Sequence, residues 1–83
     1  LPVDPSGVVY DASSRAPVPG ALVTLAPVGT CPGYDPNLHL VNGSSYNISG
    51  TSASMTVGTD GFYQFLYANN APASCPFQIS VTP

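Results

Sequence analysis

Along the chain, apolar and polar residues alternate with a period of two in several windows, and no window carries the 3.6-residue period of an amphipathic helix. Ser6 to Asp11 (SGVVYD) reads as a first strand. The turn-rich ASSRAPVPG follows, and Pro17 and Pro19 exclude a central strand there because proline cannot donate to a sheet ladder. In ALVTLAP, Ala21, Val23 and Leu25 share one face while Leu22 and Thr24 share the other. From Gly29 to Ser54 the alternation weakens into an insert rich in Gly, Pro, Asn and Ser, holding the short apolar runs Leu38 to Val41 and Tyr46 to Ile48. Alternation returns in Ser54 to Val57, in Phe62 to Tyr67, and in Phe77 to Thr82, which sets Phe77, Ile79 and Val81 on one face. The pattern predicts an all-β chain of six or seven short, mostly antiparallel strands in a β-sandwich spanning residues 1–83.

Between the third and fourth alternating runs stands Asp60-Gly61, a strong hairpin signal because such turns need positive φ. Asp60 is therefore expected to turn the chain, and Asp11, Gly20 and Gly61 to hold similar structural positions.

An 83-residue domain hides only about 60% of its unfolded surface, so its core is modest and extra stabilisation is needed. Cys31 and Cys75 are the only cysteines, and each precedes a proline, which disfavours helix at both. With no CxxC spacing and a single His39, zinc and redox pairs fit poorly, and a structural disulfide is expected. It would add about 4 kcal/mol in the chain-entropy model and implies an oxidising, extracellular or cell-surface setting. No signal peptide opens the chain, as expected of a piece cut from a longer secreted precursor.

Charged residues form only 6% of the sequence, with one cation, Arg15, and a formal net charge of −3. Nucleic-acid binding needs clustered Lys and Arg and is excluded as a function class. No apolar run approaches the roughly 18 residues of a spanning helix, so membrane insertion is not expected. The hydrophobic fraction of 43% and the eight aromatic residues argue for a folded chain.

Catalysis finds little support. His39 is the sole histidine, no GxSxG elbow accompanies it, and it reads as a surface or strand residue. The four carboxylates, Asp4, Asp11, Asp35 and Asp60, carry no mark of a glycosidase pair, and no Glu is present. Calcium is an alternative role for Asp11 and Asp60, but neither lies in the dense acidic spacing of a dedicated loop. No cofactor or metal is expected. Among Tyr10, Tyr34, Tyr46, Tyr63 and Tyr67, Tyr63 is expected in or near the core, while Tyr34 and Tyr46, in the insert, are the candidate contacts for a glycan or a host surface protein. Asn42 and Asn47 begin Asn-x-Ser glycosylation patterns, which are chance matches if the source is bacterial.

GVVYDASSRAPVPGALVTL, taken with TDGFYQF and FQISVTP, resembles the transthyretin-like (prealbumin-like) β-sandwich modules, including carboxypeptidase regulatory-like domains and relatives in large bacterial surface proteins. Gly7, Val9 and Asp11 match the first strand of the pattern; Pro17, Val18, Gly20, Ala21, Val23 and Leu25 the second; Asp60, Gly61, Tyr63 and Phe65 the later turn; Val81 and Pro83 the exit. The match covers both ends and leaves out the middle. The resemblance implies a non-catalytic module, usually one of several in an extracellular or cell-surface chain. The expected role is structural or adhesive, as a spacer or display scaffold with neighbouring modules or like subunits as partners; the alternatives are a self-assembling fibre or pilus-like subunit that pairs through an exposed strand edge or its N-terminal arm, and a glycan- or host-protein-binding module that uses the 29–54 insert. Some Gram-positive relatives cross-link Lys to Asn or Asp, but this chain has no Lys, and a Cys31 to Cys75 bond could serve instead.

Overall fold

The computed structural model describes residues 4–41, 45–72 and 74–83. Its elements are β1 (Ser6–Val8), β2 (Leu22–Pro27), a one-turn α1 (Pro36–His39), β3 (Asn47–Ser49), β4 (Ser52–Thr56), β5 (Phe62–Gln64) and β6 (Phe77–Thr82). Two antiparallel sheets result, one ordered β1-β5 and the other β3-β4-β2-β6. The all-β expectation holds with six strands.

The first sheet extends beyond its two regular strands. Tyr10 bridges Pro17 on one side and Leu40 bridges Tyr67 on the other. Backbone bonds from Val18 N–H to Val9 C=O and from Val41 N–H to Leu66 C=O mark these margins. Pro17 thus sits at a sheet edge, where its missing donor costs nothing.

The alternation of β2 decides where the core lies. Ala21, Val23 and Leu25 are buried while Leu22 is exposed, and they meet Leu40, Ala53, Val57 and Phe65 between the sheets. Burial of Val23, Leu25 and Phe65 contributes on the order of 2 kcal/mol each. On the opposite face, the Thr24 and Ser54 hydroxyls bond at 2.8 Å across β2 and β4. Tyr63 is half-buried against the core.

Asp60-Gly61 turns the chain, but the strands on either side do not pair. β4 belongs to the larger sheet and β5 to the smaller one, so the turn carries the chain across the sandwich. Gly61 N–H donates to Gly58 C=O, and Asp60 Oδ1 accepts from Phe62 N–H at 3.1 Å. Gly61 has a φ of 69° and its carbonyl accepts from Val9 N–H. A Cβ there would lie 2.5 Å from the Val9 carbonyl oxygen. Glycine is therefore required both by the backbone conformation and by the approach of β1.

Within the 29–54 insert the chain forms the Cys31 loop, α1 and β3, then enters β4. Asp35-Pro36 supplies the helix start: the Asp35 carboxylate caps Asn37 N–H, and Pro36 occupies the first turn, where no donor is needed. Cys31 and Cys75 are joined, with Cα atoms 5.8 Å apart.

Candidate functional site

All four carboxylates accept from backbone N–H groups, which accounts for their positions. Asp4 Oδ1 takes Tyr67 N–H at 2.8 Å, tying the first described residue to the loop after β5. Asp11 Oδ1 takes Ser13 and Ser14 N–H in the loop that closes on Arg15, itself at a φ of 60°. Those bonds, from Ser14 first and Ser13 second, hold the Asp11 carboxyl below the ordinary carboxylate range. Asp35 caps α1, and Asp60 holds the inter-sheet turn. Among the described residues, no three of His, Cys, Asp and Glu come together to hold a metal ion.

His39 is neither on the surface nor on a strand. It ends α1, is buried, and its Nδ1 accepts from Asp35 N–H at 3.0 Å. The imidazole thereby closes the same turn that Asp35 opens. A base with Nδ1 held this way is committed to a backbone partner, and sequence reading missed that role because it depends on the turn being formed.

The insert tyrosines, the candidate ligand contacts of the sequence, pack against the core. Tyr34 is buried, its ring edge-on to Phe77 at 5.0 Å and stacked near His39 at 5.8 Å. Tyr46 is half-buried, stacks on Phe65 at 5.2 Å, and donates its hydroxyl to Gln64 C=O. These rings help to cover Phe65 and Phe77. Tyr67 completes the cluster, 5.4 Å from Phe77. Burial, with the Asp35 charge adding to it, pushes the Tyr34 hydroxyl up to about 12. Burial also raises Tyr67 to about 12, with Tyr34 and Asp4 contributing. Tyr34 Oη is buried without a hydrogen-bond partner among the described residues.

Asn47 is exposed on the edge strand β3. Asn42 lies outside the described residues.

At the other end of the molecule a groove of about 520 Å³ opens between the sheets, lined chiefly by Val8, Val9, Tyr10, Val18, Tyr63 and Val81, with Asp11 and Pro83 at its rim. Val8 is 48%, Tyr10 60% and Val81 43% exposed. Sequence reading did not single out this groove. Its apolar residues come from β1 and the segment after it, from the approach to β2, and from β5 and β6, and only the packing of one sheet on the other brings them together.

The two ends of the described chain lie beside opposite ends of β6. Asp4 reaches Tyr67, whose ring packs on Phe77 at the start of β6. Pro83 follows the end of β6 and shares the groove with Val8 to Asp11. A six-residue strand such as β6 spans about 20 Å. The domain measures 41 × 22 × 21 Å, and its radius of gyration of 13.0 Å exceeds that of a spherical chain of this length.

Comparison with protein-family models, with curated proteins and with solved structures finds no match to this chain.

Proposed function

We propose that this domain is a non-catalytic structural module of an extracellular or cell-surface protein, serving as a spacer or display scaffold. The observation that carries the reading is the chain path. Entry at Asp4 lies beside the Phe77 end of β6 and exit at Pro83 beyond its Thr82 end, so a longer chain containing it is carried forward by about the length of that strand with each copy. A fold with adjacent termini would add bulk but little reach.

Four further features support it. Each carboxylate accepts through Oδ1 at a turn, a cap or a long-range backbone tie, which accounts for its position without an acid or base role. The Cys31–Cys75 bond suits an oxidising compartment. No helix among the described residues is long and apolar enough to cross a membrane. The inward packing of Tyr34 and Tyr46 removes the stacking platform on which glycan recognition by the insert would rest.

The test is small-angle scattering from proteins carrying one, two and three copies in tandem. The spacer reading expects the maximum dimension to grow by at least the length of β6, about 20 Å, with each copy. A maximum dimension that does not grow with copy number, or folding back into a compact particle, would reject it.

A further inference from the structure

β6 ends the order β3-β4-β2-β6, so among the described residues one of its edges carries no neighbouring strand. The direction of its backbone groups follows from the pairing of β2. Val57 N–H donates to Ala21 C=O towards β4, and bonding direction alternates along a strand. Leu22, Thr24 and Ala26 therefore turn their backbone groups to β6, where they oppose Thr82, Ser80 and Gln78. Val28, next in the same series, donates to Pro76 C=O, in agreement. The N–H and C=O groups of Phe77, Ile79 and Val81 consequently point to the open side.

This edge has none of the usual guards. It is six residues long, has no charged side chain and no proline within it, and continues into the apolar groove of Val8, Tyr10 and Val81. Exposed edges of this kind are templates for strand pairing. We propose that the open edge of β6 is an interaction surface and that its partner is β6 of a second copy of this chain.

The geometry is self-complementary. An antiparallel pairing centred on Ile79 sets Phe77 opposite Val81 of the second copy and Ile79 opposite its equivalent. All three pairs use the outward-facing backbone groups, giving about six N–H to C=O bonds. The larger sheet then runs continuously through eight strands, and the groove of each copy lies beside the Phe77 end of the other copy's β6. The net −3 on each copy opposes association at low ionic strength, but the paired edge itself brings no ionisable side chain against another. The contact is isologous and closes at two copies. It does not depend on the spacer reading, since two spacers or two unrelated proteins could be joined side by side through it.

The experiment is sedimentation equilibrium of the non-reduced protein from about 1 μM to about 1 mM, a range that covers weak to moderate affinities. The proposal expects the mass to rise from 8.5 kDa to twice that value and no further. Val81→Pro removes a donor that faces the open edge and should keep the monomer fold while weakening association at least about tenfold. Ser80→Pro removes a donor that faces β2 and should instead destabilise the monomer. If Val81→Pro does not fold, Val81→Lys, at a position 43% exposed, places a charge in the contact and should give the same loss. Amide exchange at Ile79 and Val81 should slow as the protein dimerises. A wild-type protein that stays monomeric throughout, a dimer undiminished in a folded Val81 variant, or growth beyond two copies would each overturn the proposal.

Discussion

Replacing Gly61 by alanine separates two costs that coincide at this turn. The first is conformational: a φ of 69° places an L side chain in the left-handed region, worth about 1–2 kcal/mol. The second is steric. The new Cβ would stand 2.5 Å from the Val9 carbonyl oxygen, with Pro17 and Val18 also close, so the backbone of β1 must shift. Two bonds depend on that approach, Val9 N–H to Gly61 C=O at 2.8 Å and Val18 N–H to Val9 C=O at 2.9 Å. Weakening both adds about 2 kcal/mol, for a total of roughly 3–4 kcal/mol. A domain of this size has on the order of 4–12 kcal/mol of stability, so the loss is a large share. Gly20→Ala is the matched control. Its φ is 81° but nothing lies within 4 Å of the added atom, so only the conformational cost of about 1–2 kcal/mol applies. Urea unfolding of the non-reduced variants, followed by far-ultraviolet circular dichroism, measures both. If Gly61→Ala costs no more than Gly20→Ala, the close approach of the inter-sheet turn to β1 is wrong.

Other consequences follow from the same contacts. Reducing Cys31–Cys75, which closes a separation of 44 residues, should lower stability by about 4 kcal/mol, read as a drop in the urea midpoint with little change in the folded spectrum. An unchanged midpoint would mean that the bridge does not restrain the unfolded chain. Absorbance at 295 nm should show two tyrosine hydroxyls, Tyr34 and Tyr67, ionising only near pH 12. The sign is set by order of ionisation: below about pH 10 phenols are neutral in both states, and above it the unfolded chain ionises first. Stability should therefore fall as pH rises from about 10 to about 12, and a flat alkaline profile would place these rings in water. Asp4→Ala should cost about 1 kcal/mol by leaving Tyr67 N–H unpaired, whereas Asp4→Asn, which keeps an acceptor, should recover most of it. Equal losses would assign the effect to charge alone.

Much of the fold could be read from local pattern. The period-two run of β2 named its buried face because Ala21, Val23 and Leu25 have no freedom to face elsewhere once the strand is half-buried. The disulfide was legible from two cysteines with no competing partner. Asp60-Gly61 announced a turn, but turn chemistry is local and says nothing about whether the flanking strands pair, so its passage between sheets was not visible. The Asp35-Pro36 start of α1 was present in the sequence and passed over, since a single turn leaves no periodicity to detect. The places of His39, Tyr34 and Tyr46 depend on the folded insert: His39 closes α1 and the two tyrosine rings pack on Phe77 and Phe65, contacts that no local pattern signals. The groove beside β6 depends on contacts between residues more than 60 positions apart, beyond any local signal.

If a longer chain enters at residue 4 and leaves at residue 83, tension along it runs through a domain that the disulfide keeps from extending fully, and pulling single molecules between those two positions reads this out. With Cys31–Cys75 intact, only residues 4–31 and 75–83 can extend, about 130 Å of chain including the 5.8 Å across the bridge. Reduction frees the separation of 44 residues that the bridge closes, so unfolding steps should be about 150 Å longer in reductant. Steps of equal length in both states, or extension with no discrete unfolding event, would contradict it.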